Sequence, residues 1–186
     1  MKNDFVLKGI FIIAFIFSIN KTYSQSRSSI GFGYGINKPF SDEYNTGRGG
    51  KLQGAIAIGN KWAVLPALAY EGLSSKHRVL PGEYSYYNQV NNVDLVYLGA
   101  SARYSFTNEW FAKAGPIIYA AGGNEDLVGL GIGGSAGIGY NLEMSSHSTL
   151  ELSLGTEVID LRDNHTGTTP LAAFKVAYVF NFKRLQ

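Results

Sequence analysis

The chain has 186 residues, no cysteine and a formal net charge of +2. That length suits one domain, and the lack of cysteine excludes disulfides, thiol metal sites and a lipid anchor on cysteine. The small basic excess belongs to the N-terminus: removing residues 1–24 takes away Lys2, Lys8, Lys21 and Asp4 and leaves equal numbers of basic and acidic groups. A general polyanion or nucleic-acid binder is therefore excluded.

Lys2 and Lys8 precede or flank an apolar run, Gly9–Ile19, and small Thr22 and Ser24 follow it like a cleavage site. This predicts a signal peptide over residues 1–24 and a mature domain over residues 25–186. The alternative is a buried N-terminal helix or strand. The run is shorter than the roughly 20 residues of a spanning helix, and no later run approaches that length. A membrane reading must rest on strands.

Ser29–Ile36 alternates Ile30, Phe32, Tyr34 and Ile36 with Gly31, Gly33 and Gly35, which is the period of a β-strand. A glycine-rich loop with Pro39 follows over Asn37–Gly50. Lys51–Ile58 is the second strand, with Leu52, Gly54, Ile56 and Ile58 on its apolar face. After the turn Gly59-Asn60-Lys61 comes Trp62–Glu71, the third. Gly72–Asn91 is the longest connection, and its Leu80-Pro81-Gly82-Glu83 reads as a type II turn. Asn92–Phe106 is the fourth strand, Thr107-Asn108-Glu109 a turn, and Trp110–Ala120 the fifth.

The sixth strand, Leu127–Leu142, sets the pattern for the rest. Its even positions include Val128, Leu130, Ile132, Ala136, Ile138, Tyr140 and Leu142; its odd positions after Leu127 are Gly129, Gly131, Gly133, Ser135, Gly137, Gly139 and Asn141. An oily outer face backed by nearly bare backbone suits a small closed barrel in lipid, whose interior is filled by side chains from other strands. The seventh strand is Thr149–Ile159 and the eighth Leu171–Phe182. Connections after strands two, four and six are short and those after one, three and seven longer, as in barrels with short periplasmic turns and longer external loops. Trp62, Trp110, Tyr104, Tyr140 and Phe180 gather on the short-turn side as an aromatic girdle. In hydrocarbon an open sheet edge is not tolerated, so strand eight must close on strand one. The fold class is thus all-β: an eight-stranded antiparallel up-and-down transmembrane barrel.

Pro66 and Pro116 stand mid-strand, where each removes a ladder donor; bulges are expected there. A tight Pro81-Gly82 hairpin would give strands three and four opposite parity, so an extra residue or bulge must restore it.

With even positions toward lipid, Lys51, Glu71, Arg103, Lys113, Glu151, Glu157 and Lys175 point inward. No charged residue falls on an outward position of strands two, three or five to eight, and strand four has only Asp94. Counted from the turns, Arg103, Lys113 and Glu151 lie low in the lumen and Lys51, Glu71, Glu157 and Lys175 higher. Such a set is either a polar path or a salt-bridge plug. Inward Leu65, Leu95, Tyr97, Phe111, Ile117 and Tyr119 favour the plug.

Other motifs are weaker. Gly129–Gly134 fits G-x-G-x-x-G, but no helix pattern follows to complete a dinucleotide site. His77, His165, Asp163 and Ser74 are loop residues with nothing to hold them in catalytic reach, and the histidines His77, His147 and His165 make no convincing metal site. Neither a catalytic residue nor a cofactor or metal is expected. Tyr84, Tyr86 and Tyr87, near Val79 and Leu80, offer an external contact surface or cross-strand packing in an extended hairpin.

Several stretches carry a resemblance: TYSQS, WAVLPALAY, YLGASARYSF, WFAKAGPIIYA, LVGLGIGGSAGIGY and LELSLGTEVID. In that order they resemble the outer-membrane β-barrel "porin family" of Bacteroidetes-type Gram-negative bacteria, related to OmpX/OmpA-like barrels. Ala67 stands where the family often has an acidic residue. The closing AFKVAYVFNF looks like an outer-membrane assembly signal, with Tyr178, Phe180 and Phe182 as its aromatics, although four residues follow Phe182. The resemblance implies an outer-membrane location, with lipid and the assembly machinery as partners, and a monomer. The expected function is non-enzymatic: envelope integrity or surface contact through external loops, with an unidentified extracellular or envelope protein as partner. The alternatives are a narrow solute channel, an accessory of an envelope secretion machine, or a soluble periplasmic barrel holding an apolar ligand.

Overall fold

The computed structural model describes residues 28–40, 44–76, 92–123, 129–160 and 168–182. The expected signal peptide, the external tyrosines Tyr84, Tyr86 and Tyr87, and His77, Asp163 and His165 lie outside the described residues. Eight strands follow one another: β1 (Ser29–Pro39), β2 (Gly47–Ala57), β3 (Trp62–Leu73), β4 (Val93–Ser105), β5 (Trp110–Gly123), β6 (Gly129–Ser145), β7 (Ser148–Asp160) and β8 (Thr168–Asn181). Each pairs antiparallel with the next, and the sheet closes into a barrel through β8 on β1. That seam runs from Ser29↔Asn181 to Pro39↔Leu171. No backbone edge is left open, as hydrocarbon requires.

Alternation decides which face is which. Ile30, Phe32, Leu52, Leu68, Leu98, Ile118, Ile132 and Leu154 are exposed, while Leu65, Leu95, Tyr97, Phe111, Ile117 and Tyr119 are buried. Even residues point outward and odd residues inward on β1 to β5 and on most of β6 to β8. This excludes the soluble barrel with an apolar ligand inside, because the continuous oily face is the outer one. The girdle forms as expected: Trp62 packs on Tyr104 with ring centroids 4.8 Å apart, Trp110 on Tyr140 at 5.0 Å and Tyr178 on Phe180 at 4.9 Å. It marks the short-turn end. There Thr107 Oγ1 accepts from the amides of Glu109 and Trp110, which tightens the β4–β5 turn.

Two expectations need correction. The prolines produce no bulge. Register is unchanged on either side of Pro66 and Pro116, and the ladder simply loses the pairs around Gly54–Pro66 and Ala100–Pro116. The irregularity falls instead between Glu143 and Ser145, near the β6–β7 turn. Next, β1 and β2 extend into the residues read as a loop, because glycine-rich Gly47–Gly50 pairs with both Gly35 and Glu71. The longer β2 brings Arg48 onto the outer face, so outward charge is not absent from that strand. The parity of β3 and β4 agrees with expectation: they keep matching parity from Trp62↔Tyr104 to Leu73↔Val93, a register that a perfectly paired two-residue hairpin at Pro81-Gly82 does not produce.

Candidate functional site

The inner face of every strand contributes to the lumen, and its contents are layered. At the long-loop end Tyr44, Leu73, Val93, Leu95, Tyr119, Ile159 and Leu171 form a buried apolar cluster, with Leu171 0% exposed. Toward the girdle end Phe111 is likewise 0% exposed. Charged residues occupy the space between. Several reach it because the facing strand carries glycine. A Cβ on Gly49 would meet Glu71, and one on Gly35 would meet Lys175 Cγ at 2.6 Å. Cβ atoms on Gly131 and Gly139 would enter the rings of Tyr119 and Phe111. The glycine row of β6 is therefore the socket for the large residues of β5. A serine at Gly133 has no free space either, since its Cβ would collide with Val158 O.

The charges form two clusters. In the upper one, Lys175 Nζ lies 2.7 Å from Glu71 Oε1 and 2.6 Å from Glu157 Oε1, and donates to Tyr97 Oη at 2.7 Å. The Tyr97 hydroxyl, facing Glu71 Oε1 at 2.9 Å and Glu157 Oε1 at 3.3 Å, ties the cluster to β4. In the lower one, Arg103 Nη1 donates to Glu151 Oε2 at 3.1 Å and Nη2 to Asn141 Oδ1 at 3.0 Å. Its guanidinium lies 3.8 Å from the Phe111 ring centroid, a cation–π contact in a dry setting. Lys113 Nζ bonds Glu151 Oε1 at 3.4 Å and Ser153 Oγ at 3.1 Å, and Gln53 adds a hydrogen bond to Glu151.

Lys51 stands apart. It forms no ion pair among the described residues and lines two small lumenal cavities, together with Lys113, Ser153 and Lys175. The inward set thus holds Lys51, Arg103, Lys113 and Lys175 against Glu71, Glu151 and Glu157. Glu71 Oε2 and both side-chain polar atoms of Asn37 are buried with no hydrogen-bond partner. Tyr97, Asn141, Ser153 and Gln53 are network members that charge counting misses; their odd positions in the alternation are the signal that finds them.

This arrangement holds strands together and fills space. The cavities amount to about 10 and 30 Å³, the scale of single water molecules. The apolar cluster closes the upper end. Gly129–Gly134 lies wholly within β6, which continues as strand to Ser145, so a phosphate loop leading into a helix is ruled out there. His147 sits in the β6–β7 turn with Nδ1 2.8 Å from Ser146 Oγ. Among the described residues no group of three His, Asp or Glu converges as a metal site. Tyr178 and Phe180 of the expected assembly signal are girdle residues, and Phe182, just past β8, donates its amide to Ser28 O at 2.9 Å.

No family model matches the chain, and no curated protein matches it. Solved structures do. The Neisserial surface protein A, NspA, aligns with 16% identity over 84% of this chain and 98% of its own, with a TM-score of 0.60. OprG of Pseudomonas aeruginosa aligns with 12% identity over 87% and 98%, TM-score 0.58. Ail, the attachment invasion locus protein of Yersinia pestis, solved with the heparin analogue sucrose octasulfate, aligns with 16% identity over 85% and 99%, TM-score 0.53. At such identities the likeness is one of fold. A closed antiparallel sheet, an oily outer wall with its aromatic girdle, and these likenesses make the chain an eight-stranded barrel of an outer membrane.

Proposed function

We propose that this barrel is a non-enzymatic outer-membrane protein that acts by what it presents at its long-loop end, in surface contact or envelope integrity, and that it falls among the porin-family relatives of OmpX-like barrels. The observation that carries the reading is the sealed lumen. The apolar cluster over two ion-pair clusters makes the barrel a filled pillar. A pillar contributes through its rim and loops, which is where binding functions concentrate on rigid scaffolds. The names of Ail and NspA, an attachment protein and a surface protein, agree with a role of that kind. Two central cavities, of about 10 and 30 Å³, are too small to serve the channel reading. Two measurements test the proposal together: conductance of the folded protein in planar bilayers, and binding of cells displaying it to matrix or envelope proteins. We expect no stable conductance steps, and contact that is lost when Tyr84, Tyr86 and Tyr87 are changed together to serine. Porin-like steps, or contact indifferent to the loops, would overturn it.

A further inference from the structure

Among the described strand side chains in the upper half of the outer wall, charge is carried by Lys38, Arg48 and Asp94. Asp94 accepts a hydrogen bond from Tyr70 Oη at 2.7 Å. Lys38 and Arg48 are exposed, and among the described residues their side chains make no hydrogen bond, ion pair or ring contact. They sit on adjacent strands: Arg48 pairs with Ile36, and Lys38 is two residues further along the same face. Such diagonal neighbours lie about 7–8 Å apart, within reach of two long side chains.

Directly below them the wall has a notch. Gly50 lies between Tyr34 and Tyr70 in one cross-strand row. A Cβ on Gly50 would meet nothing nearer than Gly33 O at 4.0 Å, so the space is open. Tyr34 and Tyr70 wall it, 56% and 51% exposed, and Leu52 and Phe32 continue the oily surface downward. The height is also informative. Arg48 is level with Gly72, ten residues along β3 from Trp62 of the girdle. At about 3.3 Å per residue and a tilt near 40° that is about 25 Å of height, the full apolar band of a barrel. The two cations therefore stand at the opposite water interface, where lipid headgroups lie.

We propose that the β1–β2 wall is a binding site for a phosphate-bearing lipid of the outer leaflet. Lys38 and Arg48 hold the phosphate by charge-assisted hydrogen bonds, and an acyl chain descends through the Gly50 notch between Tyr34 and Tyr70. Asp94, two strands from Arg48 at the same level, bounds the site and keeps an anion on the β1 side. The proposal rests on the membrane placement and is independent of the surface-contact reading.

The test is native mass spectrometry of the full barrel, released from detergent, with bisphosphorylated lipid A, its dephosphorylated form and inorganic phosphate as probes. At about 1 kcal/mol per cation near a membrane surface, Lys38→Gln or Arg48→Gln should weaken lipid A binding about fivefold and the pair about thirtyfold. Gly50→Leu should weaken it with both cations intact, and Lys61→Gln at the other rim should leave it unchanged. Dephosphorylated lipid should bind wild type as poorly as lipid A binds the double variant. Equal binding of the two lipids, or of wild type and double variant, overturns the site. Full displacement by inorganic phosphate overturns the lipid assignment in favour of a free-anion site. Should the double variant not fold, the lipid pair on wild type and Gly50→Leu still decide.

Discussion

Lys175→Met is the sharpest test of the filled lumen. Its ammonium is the cation that joins Glu71 and Glu157, at 2.7 and 2.6 Å, and those carboxylate side chains are only 4% and 10% exposed. Methionine keeps the length and removes the charge, leaving two carboxylates facing each other and the Tyr97 hydroxyl. Breaking a buried pair by removing one partner costs about 3–5 kcal/mol. Lys51→Met is the control. It is the same change in the same lumen, but Lys51 has no ion pair among the described residues, and removing it reduces an excess of positive charge. Its effect should stay within about 0.5 kcal/mol of wild type, or stabilise, by the same reasoning. The assay is equilibrium unfolding in urea in lipid, read by heat-modifiable electrophoretic mobility. Adding Glu157→Gln to Lys175→Met should recover part of the loss, because a neutral amide no longer repels Glu71. If Lys175→Met and Lys51→Met unfold at the same urea concentration, the ion-pair clusters do not hold this barrel together.

Ile132→Arg should cost about 2–4 kcal/mol in the same assay, because Ile132 is 75% exposed on the lipid face of β6; unchanged stability would place this strand outside hydrocarbon. Gly139→Val should hinder folding by driving into the Phe111 ring, and Phe111→Ala should cost about 3–5 kcal/mol through lost burial. In combination the two should partly rescue each other, and strict additivity would refute the socket. Gly133→Ser should be clearly destabilising because of Val158 O, despite its small size; a wild-type melting curve would show that the wall yields there.

The faces of the barrel were legible because the alternation is nearly unbroken. Ile132 and Gly133 are neighbours in β6, and parity sends one to lipid and the other inward. The division of lumenal charges into upper and lower sets follows from counting residues up from the turns. Pairing inside each set does not. Whether Lys175 or Lys51 meets Glu71 and Glu157 depends on which strands face one another across the lumen, and that depends on the shear of the closed sheet. The bulge near Ser145 left no mark in the sequence. Arg48 was missed for a different reason: Gly47, Gly49 and Gly50 carry no side-chain pattern, so a paired strand there reads as loop, and its one outward charge goes unseen.

Glycine in this chain records register more than flexibility. Gly49 pairs with Glu71, Gly35 with Lys175, Gly131 with Tyr119 and Gly139 with Phe111. A one-residue slip would turn each large inward residue toward lipid and each oily one toward the lumen. A two-residue slip keeps the faces but sets other residues opposite the bulky ones. Moving β6 by two against β5, for example, sets Ser135 or Gly131 where Gly133 now accepts Ile117. The glycines thus penalise those shifts that parity alone permits, most strongly where a ring or a paired charge needs the vacancy. The ion pairs act after that choice is made: Lys175 reaches Glu71, 104 residues away in sequence, only when β8, β1, β2 and β3 are already in register. Closure and the upper ion-pair cluster are in that sense one event. A pillar locked in this way keeps its rim fixed, with Lys38 and Arg48 held as diagonal neighbours at the end of the wall away from the girdle.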